Sequence, residues 1–232
     1  MTDAYVLAAV RTPRGKGSAR GALAQVPPLA LVTGLMQALA DRGLAVNQVD
    51  DVVLGCATQA DAQGGNLART AAMLAGWVAP GAMINRFCAS GLDAVATARA
   101  RVVAGDASLI VAGGVEAVSQ VPMFSDGGPL WMDQRVGDQV GALHMGVAAD
   151  LIATIEGFGR EQLDDYAFRS RAKAQAAWAR GAPRAVVPVV QDGAVVLARD
   201  ELVDWAPTRA ELAALPPAFA ELGAQQAPRI AH

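Results

Sequence analysis

Seven residues, Asn85-Arg86-Phe87-Cys88-Ala89-Ser90-Gly91, set a thiol where a nucleophile could work. Before them, Ala82-Met83-Ile84 reads as a short buried strand. After them, Leu92, Val95, Ala96, Arg99, Val102 and Val103 recur at helical spacing, and Gly105 closes the run. Cys88 therefore falls at a turn from strand to helix. The N–H groups of a helix's first turn favour a thiolate over a thiol. They can also hold the oxyanion of a carbonyl that the sulfur attacks. Ser90 and Gly91 are small enough for a substrate to approach the backbone. On this geometry alone, a buried structural thiol stays an alternative. Two further stretches add chemistry. Ser108 to Ser119 is a buried strand running into Gly113-Gly114 and the acid Glu116, and His144-Met145-Gly146 follows later.

The elements that must position these residues follow from pattern. Tyr5–Val10 reads as a first strand, and Arg11 to about Gln25 as a mobile surface loop. That loop lacks the Gly-x-x-x-x-Gly-Lys-Ser/Thr phosphate cradle. Pro27 and Pro28 open a helix through Leu31, Leu35 and Leu39 that ends at Gly43. Asp50–Cys56 is a strand apolar on both faces, as strands covered by helices on two sides are. A helix spans roughly Asn66–Ala75. The resulting β-α-β-α-β-α-β order predicts a mainly parallel α/β sheet flanked by helices.

Residues 119–143 carry prolines and glycines without periodicity and read as loop. Met145–Glu156 and Arg160–Arg180 read as helices. In the second, Leu163, Tyr166, Ala167, Ser170, Ala174 and Ala177 form an inward stripe, and Asp165 pairs with Arg169. Asp192-Gly193 joins Ala185–Val190 to Ala194–Leu197 as a hairpin. A last helix spans about Thr208–Leu215.

The 232 residues are 53% apolar with 5% aromatics, so the core is built from Ala, Val and Leu. The net charge of −3 with scattered basic residues leaves no footprint for nucleic acid. No apolar run reaches membrane-spanning length and no signal pattern opens the chain, which points to a cytoplasmic protein with no membrane partner. Cys56 and Cys88 have no metal-ligand spacing, and a reducing compartment disfavours a disulfide between them.

Taken together, the Cys88 stretch, Gly113-Gly114-Val115-Glu116 and His144-Met145-Gly146 resemble the thiolase family of acyl-CoA acyltransferases. So do Ala9-Val10-Arg11-Thr12-Pro13, Gly64-Gly65-Asn66-Leu67-Ala68-Arg69 and Tyr166-Ala167-Phe168-Arg169-Ser170. Each motif is short; six in order from about residue 4 to 219 carry the resemblance. It implies a thiolase-like α/β domain over residues 1–118, an α+β loop insertion covering coenzyme A over 119–219, and a truncated tail over 220–232. It implies Cys88 as the nucleophile, with His144 and Met145 lining the channel for the pantetheine arm. Coenzyme A thioester is the substrate, and no cofactor or metal is expected. A homodimer or homotetramer is the family's assembly. Arg169, Lys173 and Arg180 either face nucleotide phosphates or form a solvated helix face.

The same resemblance implies a second, similar half bearing a Gly-His-Pro histidine and a Cys-x-Gly cysteine. Neither His144 nor His232 precedes a proline, and Cys56 has no Cys-x-Gly context. Asp204, followed by Trp205, stands where many thiolases carry an arginine near the nucleotide. The chain is therefore expected to be the N-terminal half of a thiolase, with an open sheet edge and an uncovered apolar face. The alternatives are a non-catalytic thiolase-like protein that binds acyl-CoA or lipid, and an inactive fragment. A condensing enzyme of the ketoacyl-synthase type shares the fold, but the His144 segment and the long insertion favour thiolase.

Overall fold

Proline fixes the backbone at a helix start, and α1 (Pro28–Asp41) begins on Pro28. It turns Val32 and Met36, one turn apart, into the core. The computed structural model describes residues 3–181 and 183–227. They fall into two compact groups, residues 3–126 with 183–202 and residues 127–181 with 203–227.

The first group is built on β1 (Asp51–Gly55), whose five residues are all buried. The α2 helix (Leu67–Leu74) is capped by Asn66, whose side chain accepts from the Arg69 N–H. Next come β2 (Gly81–Ile84), α3 (Ser90–Ala104) and β3 (Ile110–Gly114). The strands form a parallel sheet in the order β2-β1-β3, with Val53 opposite both Ala82 and Ala112. Parallel pairing requires a crossover between neighbours, and α2 and α3 fall within the two connections. Val32, Met36, Val52, Leu54, Ala68 and Trp77 form the heart of the core.

Tyr5–Val10 is not a strand. Tyr5, Val6 and Leu7 are 79%, 81% and 75% exposed. A strand exists only through its neighbour, and β3 pairs with β1 alone among the described residues. Pairing begins only at Arg11, whose N–H donates to Ala185 O (2.8 Å) and whose carbonyl accepts from the Val187 N–H (2.9 Å).

The loop after Arg11 is anchored rather than free. The Arg11 guanidinium spans both oxygens of Asp200 at 2.7 and 2.9 Å, and the Arg14 N–H donates to the same carboxylate. The Lys16 and Ala22 N–H groups donate to Glu201 at 2.7 and 3.0 Å. These two donors hold the Glu201 carboxyl below its ordinary range. The predicted hairpin is present, with β4 (Val189–Gln191) antiparallel to β5 (Ala194–Leu197). Asp192 and Gly193 take φ values of 51° and 77° at its turn.

Residues 119–143, of which 127–143 belong to the second group, prove less irregular than their sequence reads. They contain α4 (Pro129–Met132) and α5 (Gln134–Val140). Asp133 caps α5 by accepting from the Arg135 N–H, and Gly141 ends it, so local caps rather than an apolar period make these turns. Two longer helices follow, α6 (Met145–Glu156) and α7 (Arg160–Ala179). The inward face of α7 is not the expected stripe. Leu163, Tyr166, Ala167, Ser170 and Ala174 are exposed and only Ala177 of the stripe is half-buried, whereas Asp164, Phe168, Arg171 and Gln175 are half-buried and Trp178 is buried.

Polar partners explain the rotation. Asp164 pairs with Arg160, Asp165 with both Arg169 and Arg209, and Arg171 lies 3.9 Å over the Trp205 ring. Thr208 and Glu211 form a capping box on α8 (Arg209–Ala213). Residues read as a tail include α9 (Ala220–Gln226). No single helix among the described residues is long and apolar enough to cross a membrane.

Candidate active site

The site in the first group begins with two close approaches. A methyl at Gly55, the last residue of β1, would lie 2.2 Å from the Ser90 carbonyl carbon. A methyl at Gly114, the end of β3, would lie 2.7 Å from Gly55 O. The start of α3 thus rests directly on the carboxyl ends of two parallel strands, where open α/β sheets hold their ligands.

Cys88 lies on the turn just before α3 and is exposed. The turn is tightly built. Phe87 takes φ 47°, an unfavourable conformation for a bulky residue. Asn85 and Ser90 hold it there. The Phe87 N–H donates to Asn85 Oδ1 at 2.9 Å. Ser90 Oγ accepts from the Arg86 N–H at 2.8 Å and donates to Phe87 O at 2.5 Å. The Ala89 and Ser90 N–H groups close back on Arg86 O and Phe87 O at 3.0 Å each. Those two donors are spent within the turn, so an oxyanion would be held by others. Arg86 pairs with Asp93 on the first turn of α3 at 3.1 Å.

Behind the turn lies a polar cluster of three loop segments. Glu116 accepts from the Ala57 N–H (2.8 Å), the Thr58 N–H (3.4 Å), Gln63 Nε2 (2.9 Å) and Cys56 Sγ (3.7 Å). Gln63 is fully buried and also accepts from the Ala117 N–H. Cys56 is buried here, and that burial, followed by the Glu116 charge, pushes its thiol up to about 12. The two thiols therefore differ in access as well as in neighbours.

His144 and Met145 belong to the second group. His144 caps α6, with Nδ1 accepting from the Gly146 N–H at 3.2 Å. Its ring lies 5.1 Å from that of Phe219, and its own N–H donates to Gln226 Oε1 at 3.0 Å. Met145 beside it is 49% exposed. Gly146 matters because a methyl there would lie 2.2 Å from the Phe219 ring. On α7, Arg169 is held by Asp165 at 2.9 Å, while Lys173 and Arg180 are exposed.

The chain matches the thiolase N-terminal domain across residues 4–231. It belongs to the thiolase family. The beta-ketoadipyl-CoA thiolase of Acinetobacter baylyi is 36% identical over 226 residues, covering 87% of this chain and 56% of that protein. A 3-ketoacyl-CoA thiolase of Pseudoalteromonas translucida is 34% identical over 233 residues, covering 94% of this chain and 58% of that one. The crystal structure of the Bacillus anthracis acetyl-CoA acetyltransferase superposes with a TM-score of 0.78 at 32% identity. It covers 94% of this chain and 59% of that one. The thiolase-like α/β fold expected from the motifs is thus the fold observed. The chain spans somewhat more than half the length of the thiolases it matches.

Sequence reasoning singled out Cys88, His144 and Met145 but gave no task to Asn85, Glu116 or Gln63. The pattern held one signal for Asn85. An Asn at a strand end, two residues before a bulky residue in a turn, is an Asx-turn former.

Proposed function

We propose that this chain carries the nucleophile of a thiolase-type acyl transfer. Cys88 Sγ attacks the thioester carbonyl of an acyl-CoA, or carbon 3 of a 3-ketoacyl-CoA, where the bond between carbons 2 and 3 breaks and acetyl-CoA leaves with the thiol proton on its carbon 2. With a simple acyl-CoA, the C–S bond to coenzyme A breaks, coenzyme A leaves as its thiolate and the acyl group stays on Cys88. A second thiol or carbanion then takes the acyl group, giving ping-pong kinetics. The observation that carries this reading is the exposed Cys88 thiol on a braced turn at the carboxyl ends of parallel strands. The similarity to thiolases over residues 4–231 supports the choice of acyl-CoA as substrate class.

His144 and Met145 are assigned to the pantetheine arm, and the insertion over residues 119–219 to covering the coenzyme. A cytoplasmic setting and a homodimeric or homotetrameric whole protein complete the reading. No Gly-His-Pro stretch occurs within these 232 residues, so acting alone they lack the family's base. A positioned base is worth about 10²–10⁴ in rate. The chain alone is therefore expected to form the acyl adduct slowly and to show negligible turnover.

The test is incubation of the 232-residue protein with acetyl-CoA or acetoacetyl-CoA, followed by intact-mass and peptide mapping. An acetyl group on Cys88, absent from Cys88→Ala, supports the reading. Absence of any Cys88 adduct at millimolar thioester, with Cys88 open to iodoacetamide, overturns it in favour of an acyl-CoA-binding protein.

A further inference from the structure

We propose, on the reading of Cys88 as the nucleophile, that Glu116 is a positioning residue that sets the Cys88 turn through Ala57 and Asn85. The Glu116 carboxylate accepts from the Ala57 N–H at 2.8 Å. The carbonyl of the same residue, Ala57, accepts from Asn85 Nδ2 at 2.9 Å. Asn85 Oδ1 in turn accepts from the Phe87 N–H at 2.9 Å, one residue before the thiol. A carboxylate after β3 is thus joined to the nucleophile's turn after β2 through one residue after β1. All the members belong to the first group of residues.

The chemistry of the cluster requires an acceptor at position 116. Four donors converge on it: two backbone N–H groups, the Gln63 amide and the Cys56 thiol. Gln63 has no rotational choice, because its amide N–H groups reach Thr58 O and Glu116 while its oxygen accepts from Ala117 N–H. A carboxylate, which only accepts, satisfies this arrangement. Removing it leaves the Ala57 peptide held on one side, so Asn85 loses the fixed carbonyl that orients its amide. Phe87, at φ 47°, then relaxes toward commoner backbone conformations and takes Cys88 with it.

The experiment is a double-mutant cycle on the full chain with Glu116→Ala, Asn85→Ala and both together. The readout is the second-order rate of Cys88 alkylation by iodoacetamide, mapped by mass spectrometry, with hydrogen exchange followed at the Phe87 amide. Each single variant is expected to slow Cys88 alkylation at least fivefold and to speed exchange at Phe87. The double variant should be no slower than the slower single one, because both cut one chain of contacts. Multiplying effects would mean two independent structural roles and overturn the proposal. So would Cys88 rates within twofold of wild type in both single variants. If Glu116→Ala does not fold, Asn85→Ala decides alone, since an unchanged Phe87 amide and Cys88 rate break the chain at its last link. Alkylation needs no thioester, so normal behaviour here with no acyl adduct would overturn the acyl-transfer reading only.

Discussion

The two groups of residues are held together by different forces. Around β1 all five residues are buried, and the carboxylates that join loops do so mainly through backbone N–H groups. On α7, by contrast, twenty residues bury only Trp178. Its neighbours are held by ion pairs and by guanidinium groups over rings, Arg171 on Trp205 and Arg209 on Phe168. Burying a Val or Leu contributes about 1.5–3 kcal/mol, whereas an exposed ion pair contributes about 0–1 kcal/mol. The first group is thus the stiffer platform, and the exposed thiol sits on it. The second can adjust its surface without losing its fold.

The largest contrast should come from adding the same methyl to both groups. In Gly55→Ala it meets the backbone of Ser90, which cannot move without shifting α3. A loss on the order of 3 kcal/mol is expected. In Gly146→Ala it meets the Phe219 ring, a side chain able to swing aside. There the cost should be about 1 kcal/mol. Urea denaturation of both variants checks this, and equal losses would mean that the second group is as rigid as the first.

A second effect should appear in alkali. The Cys56 thiol is pushed from an ordinary value of 9.0 to about 12. Between those values the unfolded chain gives up the proton while the folded chain keeps it. Stability from this group is therefore full below about pH 9 and is lost as pH rises toward 12. Urea midpoints of wild type and Cys56→Ala, measured from pH 8 upward, should converge across that window. A constant difference would show that the thiol is not held by its burial.

The smallest effect tests the other side. Arg171→Ala removes the guanidinium over Trp205 and should cost roughly 0.5–1 kcal/mol, read as a small fall in thermal midpoint. It should leave Cys88 alkylation unchanged. A loss of several kcal/mol would mean that α7 depends on this stacking more than its exposure suggests.

What was legible in the sequence was local. Val52-Val53-Leu54, the Pro28 helix start and Asp192-Gly193 each encode their own conformation, and all three are present. So is the strand–turn–helix unit around Cys88. What was not legible needs a partner distant in sequence. Tyr5–Val10 has strand composition but no neighbouring strand among the described residues. The face of α7 follows its charges, because Asp165 answers to Arg209 as well as to Arg169. Glu116 reads as an acid after a glycine turn; only the fold brings Ala57 to it from 59 residues away.

The pairing of Arg11 with Asp200 has a consequence for how the chain is made. The two residues lie 189 apart. While a ribosome is still adding residues 127–181, β1, β2 and β3 are already available to pair, but the two carboxylates that hold residues 11–22 do not yet exist. That stretch must wait until Asp200 and Glu201 emerge. During synthesis residues 11–22, though made before β1, are thus anchored by those carboxylates only after it. Slow elongation through the middle of the message would lengthen the interval in which proteases and chaperones meet that stretch first.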